Sequence, residues 1–125
     1  MPDELALAPA EALTLAQRLL DEGRPFHAHE VLEAVWKAAP PADRELWRGL
    51  AQIAVGLTHA RRGNAPGAVA LLRRGGLRVA GYAGHAPHGI DAAAVASQAA
   101  DLAAGISEAG LPDGGVTFLI WPGSP

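Results

Sequence analysis

Residues His27 to Trp36 read HAHEVLEAVW, which places two histidines, two carboxylates and a tryptophan on three turns of a helix. His29 and Glu33 are four residues apart and Glu30 and Glu33 three apart, so the three side chains can meet one ligand or one another. Imidazole and carboxylate together suit a divalent metal such as zinc, iron or manganese, or proton exchange near neutral pH. The stretch is not the zinc-protease motif: HEVLE has Glu33 where H-E-x-x-H requires its second histidine.

The elements that must position these residues are helical. Leu13, Leu15, Leu19 and Leu20 predict a first helix from about Ala10 to Glu22, stopped by Gly23. Pro25 opens a second helix that ends near Ala39, before Pro40 and Pro41. A third, the longest and most apolar, spans Ala42 to Arg62. Its first turn is acidic and its last basic, in keeping with the helix dipole. Asn64 caps a fourth helix with Pro66 in its first turn; Gly75 and Gly76 in its middle, each about 1 kcal/mol worse than alanine, predict a kink. After a glycine- and proline-rich loop, GYAGHAPHGI, Asp91 caps a fifth helix that runs to about Ala109. Val116 to Trp121 is a short apolar run, read as an extended tail docked on the bundle or on a second subunit. The fold class is therefore all-α: a compact bundle of about five helices in antiparallel hairpins with a C-terminal extended tail. It forms one domain over residues 1–125. GRPFHA and GNAPGA, 40 residues apart and each between two helices, also hint at a repeated hairpin.

At 100° per residue the second helix turns Ala28, Val31, Leu32 and Val35 to one arc. His29, Glu30, Glu33 and Lys37 share the other with Phe26, and Trp36 sits at the border. On the third helix, Leu46, Leu50, Ile53 and Leu57 form the apolar face. Arg48, Gln52, Val55, His59 and Arg62 lie opposite. Antiparallel packing of these two helices would bring His29, Glu33, Gln52 and His59 together. Three readings compete: a metal held by His29, Glu33 and His59; acid and base catalysis or small-ligand binding by His29, Glu30, Glu33 and His59; and a structural cluster that locks the hairpins. The favoured statement is a structural or small-ligand-binding module, with Trp36, Arg48, Gln52, Arg62 and Asn64 as further ligand-binding candidates. Apart from that divalent metal no cofactor is called for.

Composition limits the remaining classes. Half the residues are hydrophobic and only 5% aromatic, so the core is built mainly of Ala, Leu and Val. The chain has no cysteine, which excludes disulfides and thiolate sites. No apolar run is long enough to span a bilayer and the N-terminus lacks a basic leader, so a cytoplasmic protein is expected. Residues 48–90 carry six arginines and no acid, flanked by acidic segments, and the net charge is −3. Pairing within the molecule is the simpler account of those arginines. Weak nucleic-acid binding through residues 48–78 is the alternative, and it lacks the interleaved aromatic residues of a stacking platform. His85 and His88 are read as loop residues without a role, and Trp121 with the tail as a surface for a homo-oligomer.

The same residues carry a family resemblance. Ala28, His29, Glu30, Leu32, Glu33 and Trp36 match a motif of the form A-H-E-x-L-E-x-x-W. Arg48, Gly49, Leu50, Ala51 and Gln52 match a Q-G-L-I-Q-like helix, with Arg48 and Ala51 as departures; His59, and then Arg62, Gly63, Asn64, Gly67 and Ala68, complete the pattern. From Phe26 to Leu72 the chain resembles the domain of unknown function 309, with a family-like core over about 10–84 and a C-terminal extension over 85–125. The resemblance implies a small all-helical, mostly prokaryotic and cytoplasmic protein, and it implies no reaction.

Overall fold

The structure is a computed structural model, and it describes residues 7–122. Among the described residues five helices follow in order: α1 (Pro9–Asp21), α2 (Pro25–Ala38), α3 (Pro41–Arg61), α4 (Ala65–Ala80) and α5 (Ala92–Ala109), with a 3-10 turn at Pro87–Gly89. No strand occurs among the described residues. Each helix packs chiefly on its neighbours in sequence, which is the expected series of antiparallel hairpins. Among the described residues no helix is long and apolar enough to cross a membrane.

The helix limits follow local chemistry. Glu11 reaches back to accept the Ala8 N–H, Asn64 Oδ1 accepts from Gly67 N at 3.0 Å, and Asp91 Oδ1 accepts from Ala94 N at 3.0 Å. The turns between α1 and α2 and between α3 and α4 share a design. Gly23 and Gly63 take φ of +75° and +81°, open to glycine at no steric cost, and Ala28 and Ala68, each one turn into the next helix, are fully buried. The similarity of the GRPFHA and GNAPGA segments thus reflects equal turns. The apolar arcs read from sequence also face inward: Leu32 and Val35 of α2 and Leu46, Leu50, Ile53 and Leu57 of α3 are all buried.

Gly75 and Gly76 behave differently from the expectation. α4 runs through both without interruption, and both are buried. A Cβ on Gly75 would lie 2.6 Å from the Gly49 carbonyl oxygen, and one on Gly76 would lie 3.1 Å from the Ala99 Cβ. A Cβ on Gly49 would in turn lie 2.9 Å from the Gly75 carbonyl oxygen. The glycines let α4 approach α3 on one side and α5 on the other. Close packing outweighs their poor helix propensity.

The loop after α4 is anchored where the sequence reading gave it no role. His88 Nε2 lies 3.0 Å from Asp43 Oδ2 and its ring packs on the buried Trp47 at 5.5 Å. Tyr82 donates to the Ala42 carbonyl at 2.7 Å. Ala86 and His88 pay for this with φ of +44° and +58°, a region that side chains seldom enter.

The segment after α5 closes the bundle. Phe118, Ile120 and Trp121 are buried. Their backbone is served by two glutamine side chains instead of a strand. Gln17 of α1 donates to the Phe118 carbonyl and accepts from Ile120 N and Trp121 N at 2.8 and 3.1 Å. Gln98 of α5 both donates to and accepts from Leu119, at 2.7 and 3.0 Å. Trp121 therefore lies inside its own chain, and the outward residue of the segment is Leu119.

Candidate functional site

The helical periodicity of α2 sets Phe26, His29, Glu33 and Trp36 along the edge that borders α3, and that of α3 sets Arg48, Gln52, Val55, His59 and Arg62 along one stripe. The contacts show how the two helices run. The Arg62 guanidinium lies 5.7 Å from the centre of the Phe26 ring, and that of Arg48 lies 5.6 Å from Trp36. The start of α2 therefore meets the end of α3, and their far ends meet likewise. The α3 stripe is left half-buried, with α2 on one side and α4 on the other.

The residues expected to converge divide between these two sides. On the α4 side, His59 Nδ1 lies 3.1 Å from Asn64 Nδ2, and Asn64 is the cap of α4. A Cβ on Gly67 would come within 3.0 Å of the His59 ring, so glycine there makes room for it. Gln52 accepts from Arg78 Nε at 2.9 Å, and Arg78 also pairs with Glu45. His59, Asn64 and Gln52 thus serve the α3–α4 junction, whereas the sequence reading sets Gln52 and His59 against α2.

On the α2 side the groups are less satisfied. His29 Nε2 lies 3.8 Å from Glu33 Oε2, too far for a hydrogen bond. His29 Nδ1 is buried without a partner, and the Phe26 ring is centred 5.6 Å from the centre of the His29 ring. Glu33 is 37% exposed and also faces Lys37 at 3.9 Å, while Glu30 is exposed on the next row. Among the described residues no group of three or more His, Asp or Glu side chains is gathered closely enough to hold a metal ion. The expected metal set of His29, Glu33 and His59 is not assembled, because His59 is engaged by Asn64 at the α3–α4 turn.

The six arginines are dispersed. Arg48 and Arg78 share Glu45, Arg62 covers Phe26, Arg61 packs on Gly23, and Arg73 and Arg74 are exposed on α4. Phe26 is the site residue that the sequence reading left off its candidates. Its position on the polar arc was the signal, since a large aromatic residue is out of place there. Glu45 and Arg78, 33 residues apart, gave no local sign of pairing.

Fold and site together define a small all-α bundle of serial hairpins with a polar, partly open face across α2, α3 and α4. Residues 13–71 match the family model described as Domain of unknown function (DUF309), which bears out the resemblance and takes it back through most of α1. Over 48 residues the chain is 48% identical to the uncharacterized protein YpuF of Bacillus subtilis (strain 168). That stretch is 38% of this chain and 28% of the relative, so the chain spans little more than a quarter of that protein's length. No solved structure matches the chain. All the site residues from His29 to Asn64 fall within the matched region, whereas Arg78, the loop with His88 and the C-terminal segment lie beyond it.

Proposed function

We propose that the α2–α3 face is a binding surface for an acidic segment of a partner protein and that the module carries out no reaction of its own. The observation that carries this reading is the pair of arginine–aromatic stacks, Arg62 on Phe26 and Arg48 on Trp36, at the two ends of one stripe. The arginines stand fourteen positions apart along α3 and its C-terminal cap, about 21 Å at 1.5 Å per residue. A guanidinium held over a ring by cation–π attraction gives up less side-chain freedom on meeting a carboxylate than a free one. Tryptophan and arginine are also the residues on which binding energy concentrates at protein interfaces.

Between the stacks, His29 offers a ring whose buried Nδ1 has no partner and whose second nitrogen makes no hydrogen bond among the described residues. A catalytic reading is less well supported, because the two histidines that would exchange protons serve different helix junctions. Nucleic acid is also disfavoured, because of the six arginines only Arg48 and Arg62 lie on this stripe, too few for a continuous phosphate-binding track.

The test is titration of the isotopically labelled protein with a six-residue peptide alternating glutamate and leucine. The Trp36 indole N–H and the Arg48 and Arg62 Nε–H signals should move together, and a variant with Arg48→Gln and Arg62→Gln should show no such shift. Shifts confined to other surfaces, or tighter binding of a single-stranded oligonucleotide than of the peptide, would overturn the assignment.

A further inference from the structure

A cleft of about 770 Å³ opens at the opposite edge of α3, between the α1–α2 turn, the end of α3 and residues 111–118 of the closing segment. None of the candidate residues of the α2–α3 face lines it. The volume is in the range of small-molecule sites. That the space is open is seen independently at its glycines: a Cβ built on Gly63, Gly114 or Gly115 would meet nothing within 4 Å.

The walls have two characters. Leu20, Leu57, Val116 and Phe118 give an apolar lining. Arg61 stands over Gly23, its Nη1 2.9 Å from where a Cβ on that glycine would lie, so the guanidinium rests against bare backbone. Asp21 and Glu22 also line the cleft; Asp21 accepts from the Gln17 amide at 2.9 Å, Glu22 faces Arg24 at 3.6 Å, and neither pairs with Arg61. Arg61 has no carboxylate partner among the described residues. One wall belongs to the segment held by Gln17 and Gln98, so the site exists only when that segment is docked.

We infer that this cleft is a binding site for a small amphiphile with an apolar body and a single anionic head. The body lies between Leu57 and the docked segment, and the head meets Arg61. Leu20, Leu57 and Arg61 lie within the residues that match the family model, and the wall formed by residues 111–118 lies beyond them.

Calorimetric titration with decanoate, and with decyltrimethylammonium as a carrier of the same body and the opposite charge, tests the assignment below the micellar range. Decanoate should bind at least tenfold more tightly than the cation, the factor expected of one charge-assisted hydrogen bond. Arg61→Gln should remove that preference. A cation at the C-terminal end of α3 also suits the helix dipole, so this variant is read on relative affinity and not on melting temperature. Gly115→Leu, which extends into open space at a position without a left-handed φ, should abolish binding of both compounds with the circular dichroism spectrum unchanged. Equal affinity for the two heads in the unaltered protein, undiminished decanoate binding by Gly115→Leu, or no decanoate binding at millimolar concentration would each overturn the inference.

Discussion

Replacing Gly75 by alanine sets two effects of known sign against each other. In an open helix the change is favourable by about 1 kcal/mol, since glycine is the more flexible residue when unfolded. At Gly75 the added methyl would sit 2.6 Å from the Gly49 carbonyl oxygen and 2.9 Å from both the backbone nitrogen and the Cγ1 of Ile53. Two of these three neighbours are backbone, so no side chain can rotate away, and α3 and α4 would have to part by roughly 1 Å to restore normal contact. Overpacking of this kind costs about 1–3 kcal/mol, with backbone obstacles at the upper end or above. A net loss of about 2 kcal/mol follows. For 125 residues, an unfolding entropy of about 2.1 cal/mol/K per residue makes 1 kcal/mol equal to about 4 °C in Tm, so the variant should melt about 8 °C lower. Gly105→Ala is the internal control. Gly105 is an exposed residue of α5 whose Cβ would meet nothing within 4 Å, and the same substitution there should raise Tm by about 4 °C. Thermal denaturation followed by circular dichroism reads both. If the two variants moved in the same direction, the account of Gly75 as a spacer would be wrong.

Two further outcomes follow from side-chain contacts. Gln17→Leu removes three hydrogen bonds to the closing segment, at a net worth of about 1 kcal/mol each. The Ile120 and Trp121 amides should then exchange with solvent at least about a hundredfold faster while those of α3 change little, and unaltered exchange would show that Gln17 does not hold the segment. Glu33→Gln should leave Tm within about 2 °C of the parent, because Glu33 is 37% exposed and its ion-pair distances are 3.8 and 3.9 Å. A much larger drop would mark it as a structural anchor.

Much of the fold was legible because its signals are local. Pro25, Asn64, Asp91, Gly23 and Gly63 each act on the helix end beside them, and the apolar arcs of α2 and α3 follow from a fixed 100° step. The candidate site was legible as a set of faces, and no further. Gln52 and His59 lie on the stripe that the helical step assigns them, yet whether they turn to α2 or to α4 depends on partners 26 and 5 residues away, Arg78 and Asn64. The kink expected at Gly75 and Gly76 rested on propensity alone, which takes no account of a neighbouring helix pressed against the glycine. His88 was illegible for a similar reason, as its partners Asp43 and Trp47 lie in α3, more than 40 residues earlier.

The docking of residues 118–121 on Gln17 also sets an order of events during synthesis. The hairpins from α1 to α5 involve neighbours in sequence and can form as the chain lengthens. The contact from Gln17 to Phe118 spans 101 residues, which at roughly 5–20 residues per second is a delay of about 5–20 s. For that interval the outer flanks of the first and last helices lack their cover, so a newly made chain is most vulnerable to non-native association just before residues 118–121 emerge.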